Sequence, residues 1–132
     1  MKIEHMAWQV EDPAAAAAWY VEHLHFEIRR GRGDAAVPFF FLADQSGAVM
    51  IEIYRNPAAP VPDYRAMDPL VLHLALASDD VAADRERLLS AGAMAVSHET
   101  TPAGDEVAML RDPWGFPIQL CRRAEPMLRM RS

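Results

Sequence analysis

The sequence predicts an α+β fold made of two tandem βαβββ modules, together a curved eight-stranded mixed sheet, or cup, with the helices on its outer face. Three observations predict it. The stretch His5-Met-Ala-Trp-Gln-Val-Glu-Asp12 returns as His73-Leu-Ala-Leu-Ala-Ser-Asp-Asp80, so that His5, Ala7 and Asp12 each meet their like at His73, Ala75 and Asp80. The register continues, with Leu42, Asp44 and Gly47 matching Leu110, Asp112 and Gly115 and, after one deletion, Glu52 matching Gln119. Within each half, one strand pattern, one helix pattern and three more strand patterns follow in the same order.

Each element has its own local reason. Ile3 to Val10 alternates His5, Ala7 and Gln9 on one face with Met6, Trp8 and Val10 on the other, a strand with one small polar face and one apolar face. Asp12 is placed to cap a helix, Pro13 suits its first position, and the alanines from Ala14 to Ala18 have the highest helix propensity, which predicts a helix to about His25. Phe26 to Arg30, Val37 to Leu42 and Ala48 to Tyr54 read as strands separated by glycine-bearing breaks at Gly31-Arg-Gly33 and Asp44-Gln-Ser-Gly47. In the last of them Met50, Glu52 and Tyr54 share one face and Val49, Ile51 and Ile53 the other.

Residues 57–68 are proline-rich and aperiodic and read as a linker between modules 1–56 and 69–123 of one domain spanning 1–132. Pro69 to Ala77 reads as a strand, and Asp79 or Asp80 as the cap of a helix running to about Ala91, with Gly92 at a left-handed terminus. Ala93 to His98, Glu106 to Leu110 and Pro117 to Arg123 are the remaining strands, the last entered through the turn Asp112-Pro-Trp-Gly115. The tail 124–132, rich in Met and Arg, is expected either to be disordered or to lie on a partner subunit.

Composition narrows the function. The chain has 132 residues, 52% of them hydrophobic, and a formal charge of −6, which leaves no basic face for a nucleic-acid backbone. The single Cys121 cannot form an internal disulfide. Lys2, Glu4 and His5 interrupt any signal-peptide core, and Ala14 to Ala18 is too short to span a bilayer. A cytoplasmic protein with no membrane or nucleic-acid partner is expected.

If the concave faces of the two modules close on each other, His5, Glu52, His73 and Gln119 face the shared hollow. Two imidazoles, a carboxylate and an amide oxygen suit a divalent first-row metal. An unpaired carboxylate in an apolar strand is costly unless it is neutralised or meets a cation. Trp8 is expected in the core beneath a helix, and His23 and His25 at the end of that helix.

The segments His5-x-Ala-x-x-Val-x-Asp-Pro13, Ile51-Glu-Ile53, Leu72-His-Leu-Ala75 and Arg111-Asp-Pro-Trp-Gly-Phe-Pro-Ile-Gln-Leu120 resemble the vicinal oxygen chelate superfamily. That group includes glyoxalase I, bleomycin resistance proteins, fosfomycin resistance enzymes, methylmalonyl-CoA epimerase and extradiol dioxygenases. The resemblance covers about residues 3 to 122, and its motifs specify the fold rather than the reaction. It implies metal ligands at His5, Glu52, His73 and Gln119, the metal being zinc, nickel, manganese or iron. In size and in the first three ligand positions the resemblance is greatest to short bacterial glyoxalase I.

Two positions depart from that family. Gln119 stands where glyoxalase I has a Glu that moves a proton between carbons, and an amide cannot act as a base near neutral pH, so the duty passes to Glu52. Gln9 stands where the family places an Arg facing the glutathione carboxylate, whereas Asn56 matches a glutathione-contacting Asn. Gln9, Asn56 and Tyr54, the last on the face of Glu52, are the candidate substrate-binding residues.

The expected activity is therefore a metal-dependent lyase or isomerase that polarises a small, possibly thiol-conjugated, hydroxy-carbonyl substrate, with Glu52 transferring the proton. The alternatives are a metal-free ligand-binding protein of the bleomycin-resistance kind and an Fe(II) dioxygenase cleaving a catechol. The latter needs an acid/base His, for which His98 is considered although its surroundings suit an exposed strand end. A homodimer is expected, with the hollow closed within one chain or by exchange of halves.

Overall fold

The computed structural model describes residues 1–128, and the chain divides into a first unit of residues 1–62 and a second beginning at Asp63. The predicted class holds: α+β, one βαβββ module per unit.

In the first unit the elements are β1 (His5–Gln9), α1 (Pro13–Leu24), β2 (Glu27–Arg32), β3 (Phe39–Ala43) and β4 (Met50–Tyr54). They form a four-stranded mixed sheet of order β1-β4-β3-β2, in which β1 and β4 are parallel and the other pairs antiparallel. Helix α1 starts where the sequence places it, because the Asp12 carboxylate accepts the Ala15 N–H at 3.1 Å and Pro13 fills the first position. It stops one residue early, since His25 turns to φ 59 and becomes the left-handed cap.

The alanines contribute packing as well as propensity. Ala16 and Ala17 are buried, and α1 lies against the sheet face carrying Trp8, Leu42, Ile51 and Ile53, with the Trp8 and Tyr20 rings in contact. Each such aliphatic side chain, fully buried, contributes about 1.5–3 kcal/mol.

Strand β2 runs through Gly31, where the sequence suggests a break. The Phe40 ring lies over that glycine, so close that a Cβ there would stand 2.4 Å from Phe40 Cδ1. The aromatic supplies the cover that glycine lacks, and the ladder continues. A register shift between Ile28 and Arg30 makes a bulge earlier in the same strand.

The second unit contains β5 (Leu74–Ala77), α2 (Val81–Ser90), β6 (Met94–Thr100), β7 (Glu106–Arg111) and β8 (Pro117–Arg122), with sheet order β5-β8-β7-β6. Asp80, rather than Asp79, caps α2 by accepting the Ala83 N–H at 3.0 Å, and Gly92 takes φ +103 just beyond its end. Val81 and Leu88 of α2 are buried against β7 and β8 with Leu110, Ile118 and Leu120.

Further differences from the sequence reading lie where the two halves join. Strand β5 starts at Leu74 instead of Pro69, because Asp68 draws residues 68–71 into a turn: its side chain accepts from Leu70 N–H at 2.8 Å and its carbonyl from Val71 N–H at 2.9 Å. Segment 57–68 contains a short 3-10 helix, Tyr64–Ala66, with Tyr64 buried and its ring 5.1 Å from that of Phe116. Arg111 fastens that turn by donating to the carbonyls of Tyr64 at 2.7 Å and Met67 at 2.8 Å.

The turn before β8 is built by Asp112, almost wholly buried, whose Oδ1 accepts the N–H groups of Trp114 and Phe116, both at 2.9 Å. Past β8, Asp105 accepts from Arg123 at 3.0 Å and from Ala124 N–H at 2.9 Å. Of the predicted tail, residues 129–132 lie outside the described residues. Among the described residues no helix is long and apolar enough to cross a membrane.

Candidate functional site

On the sheet face of the first unit opposite α1, strand pairing sets side chains in rows. One row reads Ala7, Glu52, Phe41 and Arg30 across β1, β4, β3 and β2; the next reads Gln9, Tyr54, Phe39 and Arg32. His5 precedes Ala7 by two residues on the same face, and its Nε2 lies 3.7 Å from Glu52 Oε1. Its ring stands edge-on to Phe41, centroids 5.2 Å apart. The Glu52 side chain is 21% exposed, accessible yet partly dried by its aromatic neighbours.

His5 Nδ1 lies 2.9 Å from Glu4 Oε1, and a carboxylate oxygen accepts, so Nδ1 is the donor of that contact and Nε2 is the nitrogen that faces Glu52.

In the second unit the register repeats. Ala75 pairs with Gln119 as Ala7 pairs with Glu52, and His73 precedes Ala75 by two residues. His73 Nδ1 donates to the Pro69 carbonyl at 2.8 Å, which again leaves Nε2 as the available donor atom. An imidazole whose outer N–H is held by an oxygen is the arrangement usual for metal-ligating histidines.

The first unit brings His5 beside Glu52, and in the second Gln119 pairs with Ala75, two residues after His73. By donor type, imidazole nitrogen, carboxylate and carboxamide oxygen are each groups that divalent first-row cations accept. Among the described residues no three His, Cys, Asp or Glu side chains gather as a ready cation cage.

The candidate substrate-binding residues have different surroundings. Gln9 is buried, and its amide is engaged by the chain: Nε2 donates to the Ala59 carbonyl at 2.8 Å, and Oε1 accepts the Asn56 N–H at 2.5 Å. It anchors the loop after β4. Asn56 Oδ1 accepts from Ala58 N–H at 2.9 Å, and the residue borders an open hollow of about 430 Å³ with Arg55 and Pro57. Tyr54 lies half-buried beside Phe39 on the Glu52 face.

His98 does not share the face of Gln119. It pairs across from Ala108, which pairs with Leu120, and its Nε2 is 3.1 Å from Glu106 Oε2. Sequence reasoning missed Glu4, Phe41 and Arg30. Alternation places Phe41, but the bulge in β2 hides the parity of Arg30, and Glu4 carries no motif.

A family model for the Glyoxalase/Bleomycin resistance protein/Dioxygenase superfamily matches residues 2–120. The chain belongs to that superfamily. Superfamily members commonly bind divalent metals, as the resemblance noted above implies. None of the curated proteins matches the sequence.

Solved structures of the superfamily's fold are similar along nearly the whole chain. The crystal structure of SMU.1112c is 25% identical with a TM-score of 0.72, covering 92% of this chain and 98% of that one. TnmS3, an antibiotic binding protein from Streptomyces sp. CB03234, is 24% identical with a TM-score of 0.73, covering 94% and 97%. A glyoxylase/bleomycin resistance protein/dioxygenase domain from Frankia sp. EAN1pec is 19% identical with a TM-score of 0.70, covering 93% and 98%. The latter two likenesses concern the fold alone.

Proposed function

We propose that the protein is a divalent-metal-dependent lyase or isomerase of the glyoxalase kind, acting on a small hydroxy-carbonyl substrate, with His5, Glu52, His73 and Gln119 as metal ligands and Glu52 as the proton-transferring group. The observation that supports this reading is the shared arrangement of the two duplicated histidines, each with Nδ1 held by an oxygen and Nε2 on the opposite side of the ring from that contact. A divalent cation bound there supplies Lewis-acid polarisation of a carbonyl or hydroxyl oxygen.

The chain's own residues supply the rest. Glu52 is the ionisable member of the two duplicated oxygen donors, so a proton leaving the carbon next to a carbonyl goes to its carboxylate and is returned by it. Gln119 orients through its oxygen and takes no proton. Phe41 and Phe39, edge to face with centroids 5.9 Å apart, stand on the same sheet face as that carboxylate and give it an apolar flank. A cytoplasmic homodimer belongs to the same proposal.

The test is elemental analysis of the untagged protein together with Glu52→Gln. We expect metal in the wild type, its loss in His5→Ala, and a fall in turnover of about 10²- to 10⁴-fold in Glu52→Gln. Metal no higher than background, or undiminished in His5→Ala, ends the reading.

A second reading is favoured by one observation, the aromatic row of Tyr54, Phe39 and Phe41 on the open face. It is a metal-free protein that sequesters a flat ligand, and thermal stability that ignores EDTA but rises with aromatic ligands selects it.

A further inference from the structure

The two modules repeat each other's register but not each other's chemistry. The row Ala7, Glu52, Phe41, Arg30 of the first unit corresponds to Ala75, Gln119, Met109, Ser97 of the second. Both rows pass a register shift on the second strand of their module, between Ile28 and Arg30 in one and between Ala95 and Ser97 in the other. Base, aromatic ring and cation all lie in the first row. In the second, their places are taken by an amide, a thioether and a hydroxyl.

Arg30 is unlike the arginines around it. Arg29 pairs with Glu27 at 3.6 Å and Arg32 with Asp34 at 3.7 Å, whereas Arg30 pairs with no carboxylate among the described residues. It borders a cavity of about 340 Å³ together with Arg29, Phe41, Met50 and Glu4, the residue that holds His5, and of the two arginines only Arg29 is paired with a carboxylate among the described residues. That volume lies at the small end of ligand sites. The bulge in β2 inserts one extra residue, and such insertions re-aim neighbouring side chains.

We infer that Arg30 is the specificity-determining residue for an acidic substrate, gripping a carboxylate or phosphate while the apolar middle of the molecule lies on Phe41. Two strand spacings separate Arg30 from Glu52, about 10 Å between backbones. The substrate class is therefore a small aromatic or apolar molecule with its anionic group at one end and its reacting oxygens at the other. The inference rests on the proposed function for which end reacts. The grip itself rests on the geometry of the first unit, where a planar guanidinium can take both oxygens of the anion at once.

The experiment is isothermal titration of the 132-residue chain, with and without prior incubation with a divalent metal, using phenylacetate, phenyl phosphate and the neutral phenylacetamide. We expect at least one of the two anions to bind roughly tenfold or more tightly than the amide, the better one naming the anionic group. The preference disappears in Arg30→Gln, is partly kept in Arg30→Lys, and weakens with added salt. Arg30→Gln is expected to melt with the wild type, since the side chain is exposed.

No preference in the wild type, or a preference that survives Arg30→Gln, overturns the inference. The two readings fail separately. An Arg30-dependent preference in a chain that binds no metal sinks the proposed function alone, and normal metal content in a chain without the preference sinks this inference alone.

Discussion

An imidazole with one nitrogen already engaged has a single way left to act, and His5 and His73 reach that state through unrelated partners. The carboxylate that fixes His5 is its neighbour Glu4; the carbonyl that fixes His73 belongs to Pro69 and comes into reach only once Asp68 has turned the chain. The proposed ligand positions are legible in the sequence, because duplication displays them, while the groups that hold the two imidazoles are not, one being a backbone oxygen. Gln9 shows the reverse case. Its place in the strand was readable, but its amide serves the loop at Asn56 and Ala59, a contact made by chain closure that no local pattern encodes. Asp105 gives a prediction at this scale. The Ala124 N–H, and after it Arg123, hold its carboxyl below the ordinary value of 3.8. A carboxyl lowered on folding contributes at every pH above its unfolded value and stops contributing as acid carries the pH down through its folded one. Protection of the Ala124 amide against hydrogen exchange, taken relative to its intrinsic rate at each pH, is thus expected to hold at neutral pH and to fall as acid carries the pH below 3.8, and Asp105→Asn is expected to remove that pH dependence.

Elements began and ended mostly where their caps say. Asp12, Pro13 and Asp80 start the helices and Gly92 follows the second, all from chemistry that acts within four residues. The misplaced boundaries come from contacts further off: Phe40 extends β2 over Gly31, and Asp68 shortens β5. The prolines of segment 57–68 predict a linker, and within it Tyr64, buried with its ring against Phe116, packs the second half of the segment onto the second unit. That packing makes Gly115 the sensitive point. Its φ is +95, and a Cβ there would stand 2.4 Å from Arg65 Cγ and 3.0 Å from the Arg65 backbone nitrogen. Gly115→Ala is expected to cost about 2 to 4 kcal/mol through strain and overpacking together. By calorimetry the melting temperature should fall by roughly 8 °C or more. A variant that melts with the wild type would mean that the Arg65 turn yields freely.

At the scale of the whole molecule, repetition makes the architecture readable, and the proposed chemistry rests on divergence between the copies. Matching His5 to His73 and Glu52 to Gln119 needed only counting, and the observed pairings of Ala7 with Glu52 and Ala75 with Gln119 keep that correspondence. The Arg30 row stayed hidden because a bulge breaks the alternation by which faces are assigned. The proposal that both pairs serve one cation predicts a stoichiometry of one metal per chain, abolished equally by His5→Ala and by His73→Ala in elemental analysis. Two independent sites would leave about half the metal in each variant. One last consequence follows from where Arg30 is mounted. Strand β2 closes its sheet on one side, so a residue exchanged there disturbs a single ladder. A library randomised at positions 29, 30 and 32 should retain an unusually large share of folded clones, making this rim the place from which selection can retarget the protein to a new molecule.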